Sequence, residues 1–437
     1  MNKCAQPEKQ PFRLFLRDGF AGLIPLREFD KRWKLTEEID NCITDNRQKN
    51  LIKHQQLEML RQRLYQIAAG YEDASDCNLL RNDITMKLAA DKQELSEPLA
   101  SQPTVSRLEN RAIEQEVERM NKLNIDWYIK TRHEVPEEII LDIDSTDDET
   151  HGGQQLALFN GFYGEYMYHP LLIYEAKSGH LLSARLRKGT AHTAEGAEEM
   201  LENVIDRLQK KFPGTKIYVR GDSGFGKPEL YGLCEGKKVQ YTIGIKGNPV
   251  LKRKAHKVFE KAQKEYEETG KPVQLHNSFI YRAGSWVKSR RIRFKAECNS
   301  EGTNLRFMVS TKLGRSKDVF KFYNGRGECE NRIKELKNGF SADRLSCQEY
   351  RANAFRLALH SLSYNLVNLF REKILKNTEL ASAQIDTLRY KFFKIGAIVK
   401  ETCRKIWIKI AEGWPYRNLY GQIHAALACN GPPAGYY

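Results

Sequence analysis

Tyr323, Arg326, Glu330 and Lys337 stand at −7, −4, 0 and +7 about one glutamate in the stretch FYNGRGECENRIKELKNGF. At about 100° per residue, a single helix would bring all four into a sector of about 60°. A carboxylate is a hard-cation ligand, whereas a guanidinium offers phosphate a fork, an ammonium a point charge and a phenol a donor. The plainer reading is a solvated face with i,i+4 pairs. Two further acids stand where chemistry would want them. Asp144 closes EIILDID ahead of Ser145 and Thr146, and Asp222 closes KIYVRGD ahead of SGF. Two acids at strand ends and one on a facing helix can converge on one point. Three carboxylates suffice to hold two magnesium ions about 3.5–4 Å apart, the clamp of an in-line displacement at phosphorus. Each aspartate also has a turn-forming reading. In LDID, Asp142 and Asp144 face the same side; Asp144 is assigned first because a hydroxylated pair follows it, with Asp142 as the alternative first ligand.

The elements that would position these residues follow from hydrophobic period. Residues up to about 130 read as mostly helical, with Ile39, Ile43, Leu51, Ile52, Leu57, Leu60, Leu64 and Ile67 at roughly helical spacing and Gly70 as a C-cap. Pro103 and Thr104 precede a short helix with Ser106, Arg107 and Asn110, suited either to a DNA groove or to packing. Alternation begins at PEEIILDIDSTDDE and continues through YHPLLIYEA and HLLSARLRKG, three strands in an antiparallel meander. Ala197, Met200, Leu201, Val204, Ile205, Leu208 and Phe212 then form a helical stripe, with Thr193 as N-cap. KIYVRGDSGFG and VQYTIGIKGN are two further strands. This is a mixed α/β layer. Residues 251–318 read as a charged helix and alternating strands, a β-rich insertion. Phe355, Leu359, Leu362, Leu366 and Phe370 mark an apolar helix, and the last fifty residues are basic and apolar.

Composition narrows the partner. The chain has 437 residues, 41% hydrophobic and 10% aromatic, which is globular rather than disordered. Lys plus Arg is 71 against 56 acids, a net charge of +15 that favours a polyanion. No apolar run approaches the ~18–20 residues of a membrane span, and MNKCAQPEKQPFRLFLRDGF lacks the uninterrupted apolar segment of a signal peptide. The nine cysteines are scattered, with no C-x-x-C pair, as reduced cytosolic thiols would be. Nucleic acid is the expected partner and a membrane is not. Trp286 with Arg290, Arg291 and Arg293 could grip a backbone and stack an unpaired base, or could be a guarded hairpin edge. Lys246, in GIKGN, could face a DNA cleft.

With these residues in view, the chain resembles the DDE transposases of bacterial insertion sequences, in the cut-and-paste group with the signature Tyr-x2-Arg-x3-Glu-x6-Lys. Tyr323, Arg326, Glu330 and Lys337 match that spacing without departure, and LDIDST and GDSGF match the contexts of the two aspartates. The resemblance covers roughly residues 100–370. It implies an RNase-H-like catalytic core in two parts, 131–250 and 319–375, split by the insertion at 251–318. It also implies an end-binding helical region at 1–130, with C-terminal helices and a basic segment at 376–437. It implies Asp144, Asp222 and Glu330 as catalytic metal ligands for two Mg2+ ions (Mn2+ possible), and Tyr323, Arg326 and Lys337 on DNA phosphates. The expected partners are double-stranded DNA, as terminal inverted repeats and target, and a second copy of the chain. The expected location is a bacterial cytoplasm, at the nucleoid. The competing readings are an RNase-H-like nuclease that cleaves without strand transfer and a non-catalytic DNA-binding derivative.

Overall fold

The strands around the aspartates, in chain order, are Glu138–Ser145 (β1), Asp148–Glu149 (β2), Leu158–Asn160 (β3), Glu165–Tyr168 (β4), Leu171–Glu175 (β5), Leu181–Arg185 (β6), Lys216–Gly221 (β7), Gln240–Ile245 (β8), Val273–Tyr281 (β9), Arg290–Asn299 (β10) and Gly302–Ser310 (β11). The computed structural model describes residues 13–402 and 405–429. Residues 1–12 of the expected helical region, and 403–404 and 430–437 of the expected basic segment, lie outside the described residues. The chain divides into two units, one made of 118–337 with 342–361 and the other of 1–117, 338–341 and 362–437.

Eight strands of the first unit form one mixed sheet in the order β9-β10-β11-β8-β7-β1-β5-β6. β1, β7 and β8 run parallel, and the remaining pairs are antiparallel. Ile139–Ile143 is buried without a break, the pattern of a central strand covered on both faces. The meander of β1, β5 and β6 is as expected. Between its first two members lies a three-stranded sheet, β2-β4-β3, that period alone does not reveal because its strands have two to four residues. The helix Ala197–Lys211 (α1) buries the expected stripe from Ala197 to Leu208. Its N-cap is Gly196 rather than Thr193, with Glu198 and Glu199 in the first turn and Lys210 and Lys211 in the last, each suited to the helix dipole. After Pro228–Gly236 (α2), Pro249–Thr269 (α3) starts from an Asn248 side chain that accepts the Leu251 amide.

The β-rich insertion is not a separate layer. β11 pairs with β8 from Phe307↔Ile245 to Ser310↔Thr242, so the insertion widens the central sheet. α3 packs on it through Ala262, Val273, Ala296 and Cys298.

The expected single helix over 322–340 is broken into Ser316–Asn324 (α4), Gly327–Lys334 (α5) and a π-helical turn at Glu335–Gly339. The cause is Arg220. Its Nη1 donates to the Phe322 carbonyl at 2.6 Å, which diverts that oxygen from the helix ladder. A Cβ on Gly325 would lie 2.6 Å from the same Nη1, so a larger residue there would have to displace the guanidinium. The tetrad therefore spans three short segments rather than one straight face.

In the second unit, Leu23–Trp33, Leu35–Cys42, Gln56–Ala69 and Gln102–Arg111 are helices. Gly70 is the left-handed C-cap, its amide bonding the Gln66 and Ile67 carbonyls. Leu51, read into the helical stripe, is exposed in a short 3-10 turn. Along Gln102–Arg111, Val105, Leu108 and Glu109 are buried, whereas Arg107 and Asn110 are exposed. The C-terminal residues resolve into Ala397–Glu401 and Ile406–Ile410, which join Arg13–Asp18 in a three-stranded sheet, and a helix at Arg417–Cys429. Among the described residues no disulfide joins the cysteines, and no helix is long and apolar enough to cross a membrane.

Candidate active site

Asp142 and Arg220 are register partners on the parallel strands β1 and β7. Two residues further along each strand come Asp144 and Asp222, so both aspartates arrive at the C-terminal end of the parallel strands. Lys246 is exposed at the same end, just past β8. Carboxyl ends of parallel strands are where open α/β sheets bind ligands.

Asp144 is largely enclosed. Its Oδ1 accepts the Ser145 amide at 3.0 Å and its Oδ2 accepts Arg326 Nη1 at 2.7 Å. Burial pushes its pKa up to about 6; Arg326 opposes the rise and the charge of Asp222 adds to it. Asp222 Oδ1 accepts the Gly224 amide at 2.8 Å, capping the turn Ser223–Phe225. Glu330, on α5, has a side chain 57% exposed, and its Oε1 lies 3.4 Å from Arg326 Nη2. One guanidinium thus links the first and third acids. Burial raises the Tyr323 pKa; Arg326 draws it back, and Asp222 and Asp144 raise it further. A Cβ on Gly244 would stand 3.0 Å from the Tyr323 hydroxyl and 3.2 Å from the Asp222 carbonyl carbon, so the phenol lies close to the Asp222 backbone. Lys337 Nζ donates to the Asp147 carbonyl and Oδ2, both at 2.9 Å.

The donor chemistry of the acids fits a hard divalent cation. Asp144 and Asp222 offer oxygens at neighbouring strand ends and repel one another, which a cation between them would relieve. Glu330 offers the same donor type from α5. Among the described residues, no three metal-capable side chains are already gathered in ligating geometry.

Asp142 sits differently from Asp144. Its side chain is 1% exposed, and both of its oxygens are bound by Arg220, at 2.6 and 2.7 Å. Burial pushes its carboxyl up while Arg220 pulls it down. Trp286, Arg290 and Arg293, expected on DNA, have partners within the protein. Trp286 is 4% exposed and packs edge-on to Tyr231 and Tyr281. Arg290 forks onto Glu235 at 2.9 Å through two nitrogens and lies over the Tyr231 and Trp286 rings. Arg293 donates to the Lys312 and Gly314 carbonyls. Trp286 precedes β10, and Arg290 and Arg293, three apart on it, point to opposite faces, so each is engaged by its own partners within the protein. Arg291, on the same face as Arg293, is exposed. Arg220 and Asp147 are site residues that the sequence reading missed. The signal for Arg220 was a charged residue in each of two buried strands, Asp142 and Arg220, both two positions before a strand-end acid, since buried charges are paired; Asp147 carried no such signal.

A family model described as "Transposase DDE domain group 1" matches residues 19–431. Among solved structures, the chain is similar to a piggyBac transposase synaptic complex with hairpin DNA, at 11% identity and a TM-score of 0.45 over 87% of this chain and 83% of that one. It is also similar to a chain of the simian T-cell lymphotropic virus intasome in complex with PP2A regulatory subunit B56 gamma, at 12% identity and a TM-score of 0.18 over 49% and 92%. No curated protein matches it.

Proposed function

The chain belongs to the family described as Transposase DDE domain group 1, and on that premise we propose that Asp144, Asp222 and Glu330 are its catalytic acids. It is a DNA transposase, an enzyme acting on DNA, and DDE transposases generally use divalent metal ions. The observation that carries the assignment is the joint arrival of Asp144 and Asp222 at the ends of neighbouring parallel strands, with Arg326 tying Asp144 to Glu330. The three acids would hold Mg2+, as two ions, with Mn2+ able to substitute. When bound, the metal supplies a Lewis acid and an activated hydroxyl for in-line attack.

The chain's own groups do the rest. Arg326 and Lys337 exchange their carboxylate partners for phosphates of the transposon end, Tyr323 adds a donor, and Lys246 and Arg291 touch the DNA backbone. Held this way, the 3′-hydroxyl freed at the transposon end lies in line with target DNA, and positioning is much of the catalysis. We place the RNase-H-like core at 131–250 and 319–375, split by the insertion at 251–318, with end binding in 1–130 and a basic segment in 376–437. The setting is a cut-and-paste bacterial insertion sequence, with a homodimer joining two ends at the nucleoid.

The deciding experiment supplies DNA ends already cut. Full-length protein with Mg2+ is expected to join such ends to a target plasmid. Cleavage of intact ends with no joining would make the protein a nuclease, and no chemistry on either substrate would make it a binding protein only.

Arg326 and Lys337 should separate binding from folding. Arg326→Ala and Lys337→Ala are each expected to weaken end complexes by roughly 10- to 150-fold, the loss of one charge-assisted contact of about 1.5–3 kcal/mol. Tyr323→Phe loses a single donor and should cost less. End-complex affinity and cleavage at saturating DNA are the measurements. Wild-type values in both for Arg326→Ala and Lys337→Ala would reduce the tetrad to a solvated surface.

A further inference from the structure

The hairpin of β3 and β4 presents an aromatic face that stands largely exposed among the described residues. Phe159, Phe162, Tyr163 and Tyr166 are all exposed, and Phe162, at its tip, is 88% exposed. The rings are ordered against one another. Phe162 meets Tyr163 edge-on at 5.0 Å, and Phe159 meets Tyr166 edge-on at 5.5 Å. The tip is held by Asn160, whose Oδ1 accepts the Phe162 and Tyr163 amides at 3.0 and 3.4 Å, while the Gly164 amide returns to the Asn160 carbonyl at 2.7 Å.

The hairpin is also fixed to its own unit. Asn160 Nδ2 donates to the Gly189 carbonyl at 2.7 Å. A Cβ on Gly189 would fall 2.2 Å from both the Leu158 and Met167 carbonyl oxygens, so the hairpin backbone sits directly on that glycine. A large apolar ring held out in water by a built turn is matched only by another apolar or π surface.

Its place says which surface. Phe162 packs on Tyr163, Tyr163 meets the His169 ring edge-on at 5.7 Å, and the carbonyl of the next residue, Pro170, accepts the Thr146 amide at 3.1 Å, two residues past Asp144. DNA brought to Asp144 passes this tip. Glu149 and Glu165 flank the hairpin, and their charges disfavour a phosphate backbone on its face. The π surface that DNA offers is the face of a base, open once the base leaves its pair.

We propose that the Leu158–Tyr168 hairpin is a nucleobase-stacking site, where Phe162, backed by Tyr163, takes a base unpaired from the transposon-end duplex beside the phosphodiester at Asp144 and Asp222. This rests on the transposase reading above.

The test uses the full chain and two fluorescent probes. One is a fully paired duplex carrying the element's terminal repeat; the other is the same duplex with its terminal nucleotides left unpaired as a fork. Stacking on one base gives about 1–3 kcal/mol, so Phe162→Ala is expected to weaken fork binding roughly 5- to 150-fold and to leave the paired duplex nearly unchanged. Phe162→Trp should keep fork affinity, and Asn160→Ala, which frees the tip but keeps the rings, should fall between. Equal losses on both probes, or no loss on the fork, would overturn the proposal. So would a dimer-to-monomer shift of DNA-free Phe162→Ala in sedimentation with fork affinity intact, because the tip would then contact a second copy. Binding needs no catalysis. A selective fork effect in a protein that neither cuts nor joins DNA would therefore remove the catalytic assignment and keep the stacking site.

Discussion

Asp144→Asn, Asp222→Asn and Glu330→Gln are each expected to lower DNA cleavage by about a thousandfold or more while the protein stays folded and bound to DNA. Each change keeps shape and removes charge. Asparagine at 144 still accepts the Ser145 amide, and at 222 it still caps the Ser223–Phe225 turn. Burial already works against the charge at Asp144, which offsets the Arg326 ion pair that asparagine gives up. Glu330 is exposed, so glutamine there disturbs no packing. What is lost is the anionic oxygen that a metal requires. Metal stabilisation of a phosphoryl transition state contributes several kcal/mol, and about 4 kcal/mol corresponds to roughly a thousandfold in rate. The measurement is nicking of a terminal-repeat duplex in Mg2+, with a melting curve for each variant. A variant that cuts within tenfold of wild type would take its residue out of the triad.

Arg220→Ala should be among the most destabilising single changes in its unit. Both partners of the Asp142–Arg220 pair are nearly inaccessible to solvent, with side chains 1% and 5% exposed. Removing one partner of such a pair leaves a buried, unpaired charge and costs about 3–5 kcal/mol. Here the loss reaches the chemistry by geometry. Arg220 joins β1, β7 and the Phe322 carbonyl at the end of α4, the three places from which Asp144, Asp222 and the Arg326–Glu330 segment depart. Its side chain also lies over the Phe322 ring, with Cζ 5.1 Å from the centroid. The double change Asp142→Leu with Arg220→Met replaces the pair by apolar volume and should recover much of the stability. It should not recover cleavage, because the Phe322 carbonyl then loses the donor that ends α4. Urea unfolding read beside cleavage rate makes the comparison. Arg220→Ala within about 1 kcal/mol of wild type, far below a broken buried pair, would show that the pair positions nothing.

Much of this site was legible because strand ends announce themselves. A short apolar strand that ends in a carboxylate marks both β1 and β7, and the i, i+3, i+4 stripe of α1 needs no tertiary information. Other parts were written in contacts between distant residues. The break between α4 and α5 depends on a side chain about a hundred positions away, and local propensity does not contain it. β2, β3 and β4 are too short for a period. The basic run around Trp286 has the composition of a nucleic-acid grip, yet Glu235 and two carbonyls absorb Arg290 and Arg293. Charge counts report how many cations a segment carries, not how many remain unsatisfied.

The β-rich insertion leaves the sheet along β8 and comes back beside it. The Thr311 amide bonds the Tyr241 carbonyl at 3.0 Å, and the Thr242 and Ser310 hydroxyls meet at 2.8 Å. Its two ends are therefore stitched together, and its growing edge is β9, at the far rim of the sheet. Strands could be added or lost at that rim without moving either stitch. The stretch of chain between Asp222 and Glu330 is thus free to drift in length over evolutionary time, while the gap between the two carboxylates in space is not.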